Sequence, residues 1–284
     1  MVDAALAHGH EVEVFHRGSS NHALPPTVTS LIGDRTKDFT CLQTGSWDVV
    51  IDTCGYRPHE IHAMADVLLG RINKYVFIST VSVYSNSIPE AADETAELAS
   101  TKKVLAEDPI NMPIDGHTYG PLKVLCEEAV LLHYPDALII RPTYVVGAFD
   151  YTERYPTWVR RMRDNTHVQC PNPSDAPMQY IDARDLAELT MLAIEQDVSG
   201  PVNATAVGPG YTFGAFLNET RDAVNADATL EWVDAPEDGD YPLWTGGEHS
   251  TMLSVSNTRA MSIGLKPRPL AETAKQVLDW CNQA

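Results

Sequence analysis

Along the chain, short apolar blocks alternate with stretches whose apolar residues recur every three to four positions, the pattern of strands interleaved with helices. Residues 1–8 read as the end of a helix, Gly9 as its C-terminal cap, and residues 11–15 as the strand that follows. Further strands are expected at 28–32 and 48–52. The second of these runs Val49, Val50, Ile51 without alternation, as in a parallel strand covered on both faces. Residues 59–69 have a helical period, and 74–84 form a β-rich run that ends in hydroxyls. Residues 85–116 carry Pro, Ala and Glu with little periodicity and read as a long loop, of a kind that often covers a substrate. A helix starts at Tyr119, because Pro121 is tolerated only in a first turn, and runs to Tyr134. A strand over 137–147 ends in a proline-bearing loop, and later helices cover 213–224 and 271–281. This alternation predicts an α/β fold with a doubly wound parallel sheet.

Composition narrows the classes. The chain has 284 residues, 44% of them hydrophobic, enough for a sizeable core and about two domains. Its net charge of −19 would repel nucleic acid, so no nucleic-acid partner is expected. Cys41, Cys54, Cys126, Cys170 and Cys281 show no CxxC spacing and read as free thiols of a reducing compartment. No apolar run has membrane-spanning length, and the start carries Asp3 and no basic segment. A cytoplasmic protein with no membrane partner is the expectation. His8 and His10 lack a carboxylate or cysteine cluster around them, so no metal is expected.

The candidate chemistry centres on Tyr119-x-x-x-Lys123. Residues four apart share a helix face, which sets the phenol beside the ammonium. A neighbouring cation favours the phenolate and pulls the tyrosine down from about 10, making it a proton donor and acceptor near neutral pH. Further on, Arg154, Trp158 and Arg161 fall on one helical face. They form either a grip for an anionic or sugar-like substrate or an ordinary amphipathic face. The glycines at 208, 210 and 214 do not form a phosphate loop, since Pro209 removes a needed N–H.

A strand ending in Ser79-Thr80, a loop, Tyr119-x-x-x-Lys123 on a helix, then a strand ending in Arg141-Pro142: this order resembles the extended short-chain dehydrogenase/reductase superfamily, in its NAD-dependent epimerase/dehydratase branch. The resemblance implies Tyr119 as general acid/base, with Lys123 depressing its pKa and holding the nicotinamide ribose. It implies Thr80 as hydrogen-bond donor to the substrate oxygen, with Ser82, on the same strand face, as the fallback. Cofactor contacts are implied for Arg17, for Asp34 and Arg35 of a Gly-Asp motif, for Cys54 and Gly55, for Lys123, and for Pro142. An acidic residue at the end of the second strand suits NAD and a basic one NADP. Arg17 leans to NADP, or is a loop arginine. Asp182 and Asp185, in Asp-x-Arg-Asp-Leu, are expected to cap a helix. Sugar dehydratases of the family carry Asp-Glu after the threonine, whereas this chain has Val81-Ser82, which disfavours that reaction.

The chain departs from the family at its start. The first strand and its glycine-rich turn are absent, and an incomplete N-terminus is the simplest account. The implied fold is therefore a Rossmann-type sheet lacking its first strand, with a smaller interleaved α/β substrate domain. The nucleotide domain would span 1–147 and about 178–196, and the substrate domain about 148–177 and 197–284. The implied function is an NAD(P)-dependent oxidoreductase or epimerase acting on a carbonyl or secondary alcohol of a small, sugar-like molecule. A homodimer is compatible with it. Two alternatives stand beside it: a non-catalytic dinucleotide sensor or scaffold, and an RNA-binding relative like the chloroplast stem-loop-binding proteins.

Overall fold

A computed structural model describes residues 1–19, 23–234, 239–245 and 250–283. In chain order the first half holds α1 (Val2–Ala7), β1 (Glu13–His16), β2 (Thr29–Ile32), β3 (Trp47–Asp52), α2 (Pro58–Leu68), β4 (Ile72–Ile78), α3 (Lys102–Ala106), α4 (Tyr119–His133) and β5 (Leu138–Pro142). The second half holds β6 (Tyr144–Val146), α5 (Arg154–Asp164), β7 (His167–Pro171), β8 (Tyr180–Asp182), α6 (Ala183–Glu195), β9 (Gly200–Ala204), α7 (Phe213–Val224), β10 (Thr229–Val233), α8 (Thr258–Ile263) and α9 (Leu270–Cys281).

The chain divides into two compact units: Met1–Ser85, Leu98–Arg141 and Thr190–Val202 in one, and Asn86–Glu97, Pro142–Leu189 and Asn203–Ala284 in the other. The first unit thus gives up the segment 86–97 and ends its central part at Arg141, six residues before Gly147.

In the first unit, β1 pairs with β2 and β3 with β4, all parallel, and β4 pairs in parallel with β5. The larger sheet has the order β3-β4-β5-β9. Among the described residues β1 and β3 belong to different sheets. What links them is a side chain: the Trp47 indole donates to Glu13 at 2.8 Å. Tyr75, Val76 and Phe77 of β4 are all fully buried, because helices cover both faces of a parallel sheet. Pro58 opens α2 at a position that needs no amide bond, and Ile61, Met64, Ala65 and Leu68 then recur at helical spacing on its buried face. Ile61, Met64 and Leu68 pack with Cys126, Ala129 and Val130 of α4, Tyr75 and Phe77 of β4, and Ile139 of β5.

The run expected to be one strand over 74–84 is two elements. β4 stops at Ile78, and Val81–Val83 form a 3₁₀ turn whose cap is Thr80. The strand expected over 137–147 is also split. β5 ends at Pro142, and β6 pairs with β8. In the second unit, α5 and α7 pack against β7 and β8 around Tyr155, Trp158, Phe213 and Phe216, with α9 closing that core. Asp182 caps α6 as expected, accepting from the Arg184 N–H at 2.7 Å, whereas Asp185 accepts instead from the Arg268 backbone and guanidinium at 2.9 and 2.7 Å.

Candidate active site

Tyr119 occupies the first turn of α4, where the spacing placed it. Asp115 sets up that start: its Oδ1 accepts from the N–H groups of His117 and Thr118 at 2.9 and 3.0 Å. Tyr119 is half-buried, and its ring lies 6.5 Å from that of Tyr56, which is 39% exposed at the end of the loop after β3. One turn further along α4, Lys123 is 2% exposed. Its ammonium donates to the Gly55 carbonyl at 2.9 Å and the Ile78 carbonyl at 2.8 Å. It also lies 3.9 Å from the centre of the Phe77 ring. Burial penalises the charge and lowers Lys123 to about 8.

The hydroxyls come to the same end of the helix through a close backbone approach. Thr80 Oγ1 accepts from the Ser82 N–H at 3.1 Å and donates to Ser82 Oγ at 3.2 Å. The two hydroxyls are therefore neighbours across a capping turn and not successive positions on one strand face. Gly120 makes room for that turn: a Cβ there would sit 2.1 Å from the Ser82 carbonyl oxygen. Tyr119, Thr80 and Ser82 are thus held together by a glycine whose place in the site its spacing did not reveal.

The β3 end supplies the other wall. Asp52 is buried and accepts from Arg35 at 2.7 and 2.9 Å and from the Tyr75 hydroxyl at 2.7 Å. Burial works against its charge, yet the Arg35 bonds and the hydroxyl hold its carboxyl below the usual range. Cys54 is exposed and accepts from Arg35 at 3.1 Å. Gly55 is buried with no room for a side chain, since a Cβ would lie 2.6 Å from Ile61 and 2.8 Å from Phe77. Ser79 Oγ, one residue before Thr80, is buried with no partner among the described residues.

An orphaned hydroxyl, a desolvated ammonium and a backbone too tight for a Cβ fit a hydroxyl-bearing group such as a nucleotide ribose. Residues that would hold it are Lys123, Ser79 and the backbone at Gly55.

A family model for the NAD dependent epimerase/dehydratase family matches residues 1–208. The chain belongs to that family. Among solved structures it is similar to a UDP-N-acetylglucosamine 4-epimerase from Methanobrevibacter ruminantium M1 in complex with UDP-N-acetylmuramic acid. The TM-score is 0.71 at 14% identity, over 99% of this chain and 94% of that one. It is also similar to a UDP-glucuronic acid 4-epimerase from Bacillus cereus in complex with NAD, with TM-score 0.68 at 14% identity, over 99% and 94% of the two chains. At that identity the likeness speaks for the Rossmann-type fold. A search of the curated proteins finds no match.

Of the expected cofactor residues, Arg35 and Asp34 have partners within the fold. The Arg35 guanidinium is committed to Asp52, so it braces the sheet end and does not reach outward. Asp34 Oδ1 accepts from the Thr36 backbone and hydroxyl at 2.9 and 2.7 Å, which with Arg17 and Lys37 nearby keeps its carboxyl low. Arg17 is exposed beside Gly18 at the end of β1. Pro142 is buried at the end of β5.

The expected substrate face on α5 is corrected. Trp158 is fully buried, its indole donating to the Pro242 carbonyl at 2.7 Å, so it packs a core and offers no surface. Arg161 pairs with Asp240 at 2.8 Å and lies over the Trp158 ring at 5.0 Å. Arg154 donates to the Thr152 hydroxyl at 2.9 Å and stands 5.7 Å from the Tyr144 ring. The second unit instead has an open cavity of about 340 Å³ lined by Glu90, Asp175, Gly210, Tyr211, Thr212 and Thr251, of which Gly210, Tyr211 and Thr212 come from the glycine-containing stretch set aside above as no phosphate loop. Among the described residues no helix is long and apolar enough to cross a membrane, and no group of three or more ligands could hold a metal.

Proposed function

We propose that this chain is an NAD(P)-dependent oxidoreductase or epimerase acting on a carbonyl or secondary alcohol of a sugar-like substrate. The observation that carries the reading is Lys123: a buried ammonium, one helical turn from Tyr119, held by the carbonyls of Gly55 and Ile78. Tyr119 gives or takes the proton at the substrate oxygen. Thr80 turns its hydroxyl proton from Ser82 Oγ to the same oxygen as charge develops there, with Ser82 behind it. Lys123 favours the phenolate and binds the ribose. The chemistry that a bound nicotinamide supplies is hydride transfer. Family membership supports the dinucleotide. The sugar-like substrate is supported by the two similar UDP-sugar epimerases, and by the carboxylates and hydroxyls of the cavity in the second unit.

The cofactor preference rests on Arg17, a cation at the end of β1 that suits a 2′-phosphate. Titrating NADPH and NADH against wild type and Arg17→Ala tests it. Tighter NADPH binding that disappears in the variant is expected, and equal wild-type affinities would overturn the preference.

The test of the function is incubation with either cofactor and a panel of nucleotide sugars, free sugars and small ketones. Absorbance at the reduced-nicotinamide band and proton NMR of the sugars are the readouts. Turnover that is lost in Tyr119→Phe is expected. Tight cofactor binding with no turnover across the panel would favour a sensor, and no binding of either cofactor would end both readings.

A further inference from the structure

Lys123 stands between two buried carboxylate–guanidinium pairs of the first unit. Asp52, 6% exposed, is forked by Arg35 and braced by the Tyr75 hydroxyl. Glu127, 3% exposed and one turn beyond Lys123 on α4, accepts from Arg141 Nε at 3.0 Å and Nη2 at 2.6 Å. Arg141 in turn donates to the Tyr84 hydroxyl at 3.0 Å, and its guanidinium lies 5.0 Å from the Tyr84 ring.

The ionisable groups facing Lys123 include Asp52 and Arg35 from the ends of the strands, Cys126 and Glu127 on its own helix, and the Tyr56 phenol of the loop after β3, whose ring centre is 5.6 Å from the ammonium. Glu60 of α2 approaches the same cluster through Arg35, at 3.8 Å. Each buried carboxylate already has its own guanidinium. Neither guanidinium-forked carboxylate pairs directly with the Lys123 ammonium, which donates to backbone carbonyls instead.

An unpaired glutamate four residues from a lysine on one helix would capture that lysine, the more so in a dry setting. Lys123 would leave the Gly55 and Ile78 carbonyls and hold its proton more tightly. Arg141 prevents this. Its fork occupies both Glu127 oxygens and it never deprotonates. We propose that Glu127 and Arg141 are positioning residues for Lys123: the pair anchors its turn of α4 and withholds a counter-ion from it, leaving the ammonium net positive for the phenolate and the ribose. The inference rests on the role given to Lys123 above. It adds to that role the charge balance that makes it work.

The test is a charge cycle read on Lys123 itself. Protein labelled in its lysine side chains is titrated by NMR, with the Lys123 signal assigned as the one missing in Lys123→Met. In Arg141→Met the freed Glu127 raises the Lys123 titration midpoint. In Glu127→Gln the unbalanced Arg141 lowers it. Each shift is expected to be at least about half a unit, a threefold change in the protonation ratio. The double variant restores a midpoint near wild type. Should a single variant fail to fold, Arg141→Lys keeps the charge without the fork and moves the midpoint up by less. Midpoints that stay put, or singles that move the same way, would overturn the proposal.

The titration needs no cofactor and no turnover. If the midpoints move as stated and the pH profile of turnover follows them, both readings stand. If they move and the turnover profile does not follow, the positioning stands and the catalytic role of Lys123 falls.

Discussion

The Lys123 ammonium donates to the Gly55 carbonyl across 2.9 Å, tying α4 to the loop after β3 with a buried cation. Backbone carbonyls satisfy two of its protons but bring no formal charge. That is why burial wins and Lys123 falls from 10.5 to about 8.

A pH dependence of stability follows. Below pH 8 folded and unfolded chains both carry the Lys123 proton, and the full cost of burying it is present. Between pH 8 and 10.5 the unfolded chain binds a proton that the folded chain does not, so this lysine makes stability rise with pH. The whole rise is about 3 kcal/mol at ~1.4 kcal/mol per unit. Urea midpoints of wild type and Lys123→Met from pH 7.5 to 10 check it. Wild type is expected to gain on the variant as pH rises; parallel curves would contradict the placement of Lys123.

Gly120 gives a steric prediction. Its missing Cβ lets the first turn of α4 lie against the Ser82 carbonyl, and that oxygen belongs to a backbone that cannot swing aside. Gly120→Ala is expected to cost about 1–3 kcal/mol as overpacking, although alanine is the better helix former by about 1 kcal/mol. The variant should also lose turnover, because Tyr119 and the Thr80 turn separate. Thermal denaturation beside an activity assay measures both, and an alanine variant as stable and as active as wild type would refute the contact.

Thr80 has two tasks that substitution separates. Its Oγ1 caps the 3₁₀ turn through the Ser82 N–H, and its hydroxyl is the proposed donor to the substrate oxygen. Thr80→Val removes both, at about 0.5–2 kcal/mol for a lost cap and about 10²–10³ in kcat for a lost donor. Thr80→Ser keeps both and is expected to remain within a few-fold of wild type. A valine variant with normal kcat would hand the donor role to Ser82.

The parts of this site that were legible in the sequence are those set by local periodicity. Tyr119 and Lys123 share a face because they are four apart on a helix that Pro121 obliges to begin there. The strand over 48–52 was legible from its unbroken apolar run, but not its burial: Asp48 is exposed and Val49, Val50 and Ile51 are only half-buried. What was not legible is who meets whom across the fold. Arg35 follows a glycine-aspartate pair and looked like a cofactor contact, and nothing in its neighbourhood signals Asp52, 17 residues away. Trp158 and Arg161 do share a face, but a helical period does not say whether that face meets solvent or a core. Thr80 and Ser82, two apart after a strand, were expected on one strand face. The threonine hydroxyl competed for the backbone and turned the chain instead.

The central claim is that Tyr119 moves the proton. The most direct test is kcat and cofactor affinity of Tyr119→Phe on the substrate that wild type turns over, with affinity followed by the fluorescence of reduced nicotinamide. Turnover is expected to vanish with affinity nearly unchanged, because the hydroxyl carries the proton and the ring does not hold the nucleotide. A variant that keeps more than about a tenth of wild-type kcat would leave less than ~1.4 kcal/mol of the barrier to this hydroxyl, and would contradict the assignment.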